Sequence, residues 1–354
     1  MMNTKSIIIF IRSLAKGGAE KQSLLLTKYL SQFFPVYLVV FHRNSKVNHI
    51  IPQDLKIIYL DGNLFFKILK FFSILKKKNI THIFNYLPSN NIIGLFVGKI
   101  AGVKNLYGGI RGVKYKSFIK MQLTKYLCNN ISSGFISNSY AAALKYIDYG
   151  FKQNKIEIIH NAIEEVIIKR TPHKKLLILS VGRFTDEKDY FTAIKSVNHL
   201  FSYSAILKEI ISFRIIGYGE IDKSITEIIN QNKLEGIIEI ITDGNIKDNY
   251  SHADILLNTS IYEGMPNVIM EAMNYGLPIV ATDAGDTRYL VKDSENGYLC
   301  NIGDYKDIAE MLYKLINDEQ LRNNMGKNSR KIIDETFRPE KIFLNYKELI
   351  LGNK

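Results

Sequence analysis

Residues 260 to 278 read Ser-Ile-Tyr-Glu-Gly-Met-Pro-Asn-Val-Ile-Met-Glu-Ala-Met-Asn-Tyr-Gly-Leu-Pro. Pro266 suits the first position of a helix, where a missing N–H costs nothing, and Gly276 suits the left-handed residue after the last turn. The stretch therefore predicts a short helix between them. A helix begins with unpaired N–H groups at the positive end of its dipole, so the amides of residues 264–268, Pro266 excepted, are predicted to converge on an anion.

Two glutamates bracket this predicted anion site. Glu263 lies in the loop before the helix. Glu271 lies about one turn inside the helix, with its side chain leaning back toward the N-terminus. One carboxylate can therefore face each end of a bound diphosphate and accept hydrogen bonds from hydroxyl groups. The alternative interpretation of such a pair is a solvated helix face.

The whole run resembles the signature of a known family. Glu, seven residues and Glu, followed by Ala-Met-x-x-Gly-x-Pro-Ile-Val-Ala-Thr-Asp, is similar to the signature of retaining GT-B glycosyltransferases of group GT4. The resemblance implies an α/β fold with two doubly wound Rossmann-like domains that face a cleft. It also implies that Glu263 is catalytic and binds donor-sugar hydroxyls, and that Glu271 binds the ribose. Further donor contacts implied at the helix start are Gly264, Met265, Asn267 and Val268.

A second motif follows a predicted buried strand, Leu176–Val181. It reads Gly-Arg-Phe-Thr-Asp-Glu-Lys over residues 182–188. Ligands of open α/β sheets bind outside the carboxyl ends of the strands, where the planar fork of Arg183 can hold two phosphate oxygens and Lys188 adds a point charge. A charged turn is the alternative. The segment resembles the family's Gly-Arg-x4-Lys diphosphate-binding segment, which implies a catalytic role for both cations.

Two weaker motifs lie in the same half of the chain. Gly217 follows the predicted strand Phe213–Ile216 in a Gly-x-Gly run, which without a third glycine is a weak dinucleotide fingerprint. Asn245 and Ile246 stand where the family's backbone usually meets the base of the nucleotide. Ordinary connecting turns remain the alternative for both segments.

The N-terminal half offers a glycine pair and two acceptor-side candidates. Gly17 and Gly18, in a Gly-Gly-Ala-Glu run typical of family members that build bacterial surface polysaccharides, are predicted to allow positive φ and close approach to the donor. Tyr86 stands where many family members carry a histidine that contacts the donor sugar. Gly108-Gly109-Ile110-Arg111 follows the predicted strand Lys104–Tyr107. Arg111 can reach an acceptor phosphate or a surface carboxylate, and the sequence does not decide between them.

Length and alternating patterns predict two domains. A chain of 354 residues exceeds what one core usually organises, and β-branched runs alternate with helical patterns in both halves, as in doubly wound parallel sheets. A charged, proline-containing stretch, residues 164–175, separates the halves. We predict an acceptor-binding domain over 1–166, a nucleotide-sugar-binding domain over 167–336, and a terminal helix, 337–354, that packs back on the first.

Charge is strongly segregated along the chain. Up to residue 170 there are 25 Lys and Arg against 7 Asp and Glu, or +18, and from residue 171 there are 22 against 27, or −5. Such asymmetry predicts that the first half meets an anionic partner. No nucleic-acid-binding motif is present, whereas residues 63–78 combine phenylalanines with a lysine stripe at Lys67, Lys70 and Lys77, and residues 113–120 are again basic and aromatic. We therefore expect an anionic membrane surface rather than nucleic acid.

Together these patterns predict a cytoplasmic enzyme, peripheral at the inner face of the cell membrane. Its expected partners are a nucleotide diphosphate sugar, expected to be a UDP-sugar, and a glycan acceptor carried on a polyprenyl diphosphate. No Asp-x-Asp pair lies in a suitable loop and the two cysteines are isolated, so we expect neither a metal nor another cofactor. The alternatives are an inactive partner subunit of the same fold and a nucleotide-sugar epimerase.

Overall fold

The computed structural model describes residues 5–14, 17–43, 52–111, 117–168 and 174–352. The chain forms two compact units, one of Met1–Ala162 with Pro339–Lys354 and one of Ile163–Arg338. The domain boundaries predicted from the sequence are residues 166 and 336. Parts of three predicted segments lie outside the described residues: residues 113–116 of the basic-aromatic stretch, 169–173 of the charged stretch, and Lys16.

The first unit is built on a parallel sheet. Within the described residues its seven strands lie in the order β3-β2-β1-β4-β5-β6-β7. The strands are β1 (Ser6–Ile11), β2 (Val36–Val40), β3 (Ile57–Tyr59), β4 (Ile80–Asn85), β5 (Asn105–Ile110), β6 (Gly134–Ser137) and β7 (Ile156–Ile158). All six residues of β1 are buried, as expected for a β-branched strand covered on both faces.

Helices connect these strands and cover the sheet. They are α1 (Gly18–Leu30), α2 (Leu64–Lys77), α3 (Pro88–Ile100), α4 (Phe118–Ile131) and α5 (Tyr140–Asp148). A 3₁₀ turn, Gln153–Lys155, precedes β7. Helix α3 packs against both α2 and α4. Because all the strands are parallel, each connecting helix begins at the carboxyl edge of the sheet.

The second unit repeats this plan. Its six described strands lie in the order β10-β9-β8-β11-β12-β13. They are β8 (Leu176–Arg183), β9 (Ile211–Tyr218), β10 (Ile238–Thr242), β11 (Ile255–Asn258), β12 (Ile279–Thr282) and β13 (Gly297–Cys300). The strand order reverses between β8 and β11, which is the switch point where doubly wound sheets bind ligands.

The helices of the second unit pack on its sheet and on one another. They are α6 (Tyr190–Tyr203), α7 (Leu207–Ile210), α8 (Lys223–Gln231), α9 (Ile246–His252), α10 (Asn267–Asn274), α11 (Thr287–Leu290), α12 (Tyr305–Asn317) and α13 (Glu319–Thr336). A 3₁₀ turn, Asp186–Lys188, follows β8. Two more helices, α14 (Pro339–Ile342) and α15 (Leu344–Leu351), belong to the first unit.

The fold class agrees with the sequence prediction, but several local predictions were wrong. Gly108 and Gly109, predicted to follow a strand, lie inside β5. The backbone of β4 lies so close to Gly109 that a Cβ there would be 2.1 Å from the Asn85 carbonyl oxygen. The predicted terminal helix begins only at Pro339 and is divided into α14 and α15 at Phe343, which keeps a right-handed helical backbone. Strands β3 and β13 had no counterpart in the prediction.

Candidate active site

The predicted donor residues of the second unit gather at the carboxyl edge of its sheet, around the switch point. Arg183 is the last residue of β8 and Lys188 ends the 3₁₀ turn after it. Glu263 lies in the loop between β11 and α10, and Glu271 lies within α10. The two adjacent strands β8 and β11 therefore deliver both motifs to one place.

Lys188 and Glu263 form an ion pair. The Nζ atom of Lys188 lies 2.5 Å from Oε1 of Glu263, and the two side chains are only 16% and 12% exposed. The Ser260 hydroxyl donates to the same carboxylate oxygen at 2.8 Å. Thr259 donates to the carbonyl oxygens of Lys188 and Asp189 at 3.0 and 2.9 Å, which ties the turn after β8 to the loop after β11. The cation and the carboxylate are thus held together by contacts within the second unit.

Gly182 makes room for this pair. A Cβ at residue 182 would lie 2.9 Å from the Tyr190 hydroxyl and 3.0 Å from Cε of Lys188. The lysine side chain therefore runs over the glycine to reach Glu263. The buried Tyr190 hydroxyl has no hydrogen-bond partner among the described residues. Burial, with a further contribution from the Glu263 charge, raises the pKa of Tyr190, so the phenol stays protonated.

The start of α10 is close to the prediction but shifted by one residue. Pro266 is the residue before the helix rather than its first residue, and Gly276 has the predicted positive φ, +69°. Asn267 and Val268 are the first two helical residues and lie at the positive end of the helix dipole. Gly264 and Met265 form the loop that leads into this turn, and Met265 is buried.

A neighbouring loop fixes the position of Glu263. The Asp286 amide donates to the Gly264 carbonyl oxygen at 3.1 Å. Gly285 has φ +57°, and a Cβ at this position would lie 2.1 Å from the Glu263 carbonyl oxygen. Only glycine fits this close approach without strain, so the loop after β12 holds the glutamate loop in place.

Glu271 has its own neighbour, Tyr250. The tyrosine hydroxyl lies 3.3 Å from Oε2 of Glu271 and 3.2 Å from the Val268 carbonyl oxygen, both of which can accept its proton. Tyr250 is buried and stacks on Tyr275. Burial and the charge of Glu271 raise the pKa of Tyr250 well above its usual range. The phenol is therefore a permanent donor that orients the carboxylate.

Arg183 is not part of the Lys188–Glu263 cluster. Its side chain is 56% exposed, and its closest ion-pair contact is Oε2 of Glu187 at 3.8 Å. An exposed pair at this distance contributes little to stability. The guanidinium is therefore available at the carboxyl edge, in contrast to the buried ammonium of Lys188.

The weaker motifs of the second unit have clear structural roles. A Cβ at Gly217 would lie 2.1 Å from the Gly182 carbonyl oxygen, so this glycine is required by the packing of β9 on β8. Asn245 precedes α9 and its side chain accepts from the Lys247 amide at 3.2 Å. Ile246 is the first residue of α9. Gly217 lies inside β9 rather than after it, whereas Asn245 and Ile246 follow β10 at the carboxyl edge.

The glycine pair of the first unit does not adopt the predicted positive φ. Gly17 is extended, with φ −178°, and Gly18 is the first residue of α1. A Cβ at Gly17 would lie 2.3 Å from Oε2 of Glu20, so the end of the glutamate side chain folds back over this glycine. Burial raises the pKa of Glu20. The two glycines lie at the carboxyl edge, where Gly17 precedes α1 and Gly18 begins it.

Tyr86 and Arg111 contact each other. The Arg111 guanidinium lies over the Tyr86 ring, 4.2 Å from its centroid, and Tyr86 is buried. Arg111 also donates to Oδ1 of Asn161 at 2.6 Å and to the Tyr346 hydroxyl at 3.3 Å. The arginine thus joins the end of β5 to α15 within the first unit. Its Nε, which is buried, has no partner among the described residues.

Sequence reasoning missed three polar residues at the donor edge: Ser260, Tyr250 and Tyr190. Ser260 lies three residues before Glu263, a spacing that allows a side chain to contact within a turn, and this was a usable signal. Tyr250 and Tyr190 reach the site across the fold, and no local pattern indicates that. Among the described residues, no group of three or more His, Cys, Asp or Glu side chains is arranged to hold a metal ion.

Two doubly wound parallel sheets in one chain, with phosphate-binding candidates at the edge of the second, define the GT-B class of fold. Comparison with solved structures agrees. The crystal structure of Anabaena HepE in complex with UDP has a TM-score of 0.84, is 18% identical, and covers 98% of this chain and 100% of its own. Residues 162–332 match the family described as glycosyl transferases group 1.

Relatives point to glycan synthesis in bacteria. The capsular polysaccharide biosynthesis glycosyltransferase CapM of Staphylococcus aureus is 28% identical over 53% of this chain and 49% of its own length. A Campylobacter jejuni protein, N-acetylgalactosamine-N,N'-diacetylbacillosaminyl-diphospho-undecaprenol 4-alpha-N-acetylgalactosaminyltransferase, is 25% identical over 97% of this chain and 99% of its own. The chain spans 45 to 61% of the length of the first curated relatives it matches.

Proposed function

We propose that the protein transfers a sugar from a nucleotide diphosphate donor, a UDP-sugar, to a growing surface glycan, with retention at the anomeric carbon. One observation carries the proposal: the Lys188–Glu263 pair lies at the switch point before the start of α10, and Glu271, which contacts Tyr250, lies about one turn inside that helix. This arrangement offers hydroxyl acceptors on both sides of an anion site. The HepE structure, which holds UDP, has the same fold.

The chemistry of transfer requires stabilisation of the departing diphosphate. Negative charge grows on its oxygens as the bond to the sugar breaks, and preorganised cations and amides at that place lower the barrier. We assign this role to Lys188, Arg183 and the first amides of α10, without a metal. Glu263 would bind hydroxyls of the donor sugar, and Glu271 the ribose.

The acceptor is proposed to be a glycan on a polyprenyl diphosphate, used at the inner face of the cell membrane. The name of the Campylobacter jejuni relative contains a diphospho-undecaprenol acceptor. The first half of this chain carries the +18 charge balance, which suits an anionic lipid surface. No helix in the described parts of the chain has the length and apolar character to span a bilayer.

A donor screen tests the proposal. The protein is incubated with a panel of UDP-, GDP-, ADP- and dTDP-sugars, with and without EDTA, and scored for thermal stabilisation and slow release of the nucleoside diphosphate. We expect a UDP-sugar to stabilise the protein and to be hydrolysed with retention, unaffected by EDTA. Stabilisation without hydrolysis or transfer would favour an inactive partner subunit, and interconversion of donor epimers would favour an epimerase.

Substitutions of the two glutamates should weaken the binding of different ligands. Glu271→Gln should weaken binding of both free UDP and the donor, because the ribose is common to both. Glu263→Gln should weaken binding of the intact donor only. Isothermal titration of each variant with UDP and with the donor measures this, and equal losses of UDP affinity in both variants would contradict the assignment.

A further inference from the structure

We infer that the first unit docks on an anionic lipid bilayer through the carboxyl edge of its sheet, by the first turns of α2 and α4. The inference rests on the proposed membrane-borne acceptor and identifies the surface that meets the membrane. We call this surface the docking edge. Its apolar members are Leu64, Phe65, Phe66, Phe118 and Ile119.

These five side chains are large, apolar and exposed. Their exposed fractions run from 58% for Leu64 to 79% for Ile119. Single exposed apolar residues are common on protein surfaces, but adjacent ones at the starts of two helices on the same edge mark an interaction surface. Three of the five are phenylalanines, and apolar rings on an otherwise basic surface suit the boundary between lipid headgroups and acyl chains.

Topology places both helix starts at the same edge. Helix α2 follows β3 and α4 follows β5, and both strands run parallel to the rest of the sheet. The helices therefore both begin at the carboxyl ends of the strands, with α3 packed between them. Each start is fixed by a side-chain cap: Asn63 accepts from the Phe66 amide at 3.1 Å and Ser117 accepts from the Lys120 amide at 3.5 Å.

The charge of this edge complements an anionic surface. Arg12 and Arg43 are exposed directly after β1 and β2, and Lys120 is exposed in the first turn of α4. Asp61, just before α2, lies 3.7 Å from Nε of Arg43 and 3.6 Å from Nζ of Lys70, so its charge is offset locally. Cations near an anionic bilayer add to the attraction of apolar insertion.

The docking edge differs from the lysine stripe that the sequence predicted on α2. Lys67 is buried on the same face as Phe71 and Leu75, and its Nζ donates to the Phe41 carbonyl oxygen at 2.8 Å. Because that face turns inward, Phe65 and Phe66 turn outward. Lys76 and Lys77 lie at the far end of α2, about 20 Å away at 1.5 Å per residue, and thus at the opposite edge.

Vesicle binding with matched variants tests the inference. We would compare the wild-type protein, Phe65→Ser with Phe66→Ser, and Phe118→Ser with Ile119→Ser by co-sedimentation with phosphatidylcholine vesicles, with and without phosphatidylglycerol, at low and high salt. The control is Phe96→Ser with Ile100→Ser, equally apolar and 54% and 60% exposed, but near the C-terminal end of α3. We expect salt-sensitive binding to anionic vesicles, a loss of roughly tenfold for each edge variant, and no loss for the control.

A fluorescence variant gives a second readout if a serine variant fails to fold. The chain contains no tryptophan, so Phe66→Trp and Phe96→Trp each introduce a single reporter. Anionic vesicles should shift the emission of the first to shorter wavelength and leave the second unchanged. The inference would be overturned by equal emission shifts of the two tryptophan variants or by equal losses of vesicle binding in edge and control variants. Absence of vesicle binding by the wild type would overturn it as well.

Donor hydrolysis keeps this test separate from the proposed function. The Lys188–Glu263 and Glu271–Tyr250 pairs lie in the second unit, and the edge variants change none of the predicted donor residues, so they should release nucleoside diphosphate in solution at the wild-type rate. Wild-type hydrolysis without vesicle binding would overturn the docking edge alone. Absence of hydrolysis in the wild type would count against the proposed function and leave the vesicle result to stand by itself.

Discussion

Lys188 and Glu263 form an ion pair, and this changes what a substitution at either should do. From sequence, Arg183 and Lys188 are equivalent phosphate ligands. In the structure Arg183 is exposed, whereas Lys188 neutralises a carboxylate that is only 12% exposed. Removing one partner of a buried pair leaves an uncompensated charge. The two cations should therefore differ in their effect on stability.

We predict that Arg183→Ala and Lys188→Ala both lower turnover by ~100-fold, as expected for loss of one preorganised charge donor. Only Lys188→Ala should also lower the free energy of unfolding, by roughly 1–3 kcal/mol. Steady-state kinetics and denaturant unfolding measure the two effects. The double variant Lys188→Met with Glu263→Gln should regain stability without regaining turnover. Equal stability of both single variants would show that the ion pair contributes nothing to the fold.

The Tyr190 hydroxyl offers a second residue-scale test. It is buried beside Gly182 and Lys188 and has no partner among the described residues. Removing an unsatisfied buried group is neutral or favourable, whereas removing a bonded one costs about 1 kcal/mol. Tyr190→Phe should therefore melt at or above the wild-type temperature. Tyr250→Phe, which loses the contact with Glu271, should melt lower, and the reverse order would contradict this account of both tyrosines.

At the scale of elements, the loop after β12 positions the loop before α10. Gly285→Ala would place a Cβ 2.1 Å from the Glu263 carbonyl oxygen at a φ of +57°. Gly303→Ala is the matched control, because Gly303 also has positive φ, +79°, but has open space around its Cβ. Both should lose about 1 kcal/mol from backbone strain, and only Gly285→Ala should also weaken donor binding. Unchanged donor affinity would mean that the loop does not depend on this contact.

Sequence predicted the elements with strong patterns and missed those without. Strand β8 was predicted because a run of Leu, Ile and Val between turns is typical of a buried parallel strand. Strand β3 has only three residues, too few for a periodic signal. The glycines at 108 and 109 suggested a turn, but they lie in β5 because a neighbouring backbone approaches them. Close packing between strands leaves no trace in local sequence.

The same limit applies to the candidate site. Glu263, Glu271, Arg183 and Lys188 were found because each lies in a short motif. Their pairing was not foreseen, since Lys188 and Glu263 are separated by 75 positions and meet only through adjacent strands. The sequence also did not determine which face of α2 packs inward. Burial of Lys67 depends on the hydrogen bond that its Nζ donates to the Phe41 carbonyl oxygen, and that contact lies outside the local pattern.

At the scale of the whole molecule, charge and apolar exposure divide between the units. The excess of cations lies in the N-terminal half of the sequence, and the C-terminal half is slightly acidic. The docking edge belongs to the first unit, and the diphosphate-binding candidates belong to the second. An acidic unit can still bind an anionic donor, because Lys188, Arg183 and helix amides set the local field at the site. Net charge therefore predicts the membrane partner, and local geometry predicts the donor site.

Stability should fall in mild acid, and His82 is the predicted cause. His82 is buried on β4, its Nδ1 lies 2.8 Å from Oγ1 of Thr81, and burial together with the charge of Lys5 lowers its pKa from 6.5 to about 4. The folded state therefore resists protonation, while the unfolded chain binds a proton as the pH drops below 6.5. The resulting loss in the free energy of unfolding is absent above pH 6.5 and grows to at most about 3 kcal/mol near pH 4. In His82→Phe, whose ring can still stack on Phe84, the melting temperature should depend less on pH between these limits. An unchanged pH profile in this variant would assign the acid sensitivity to other groups.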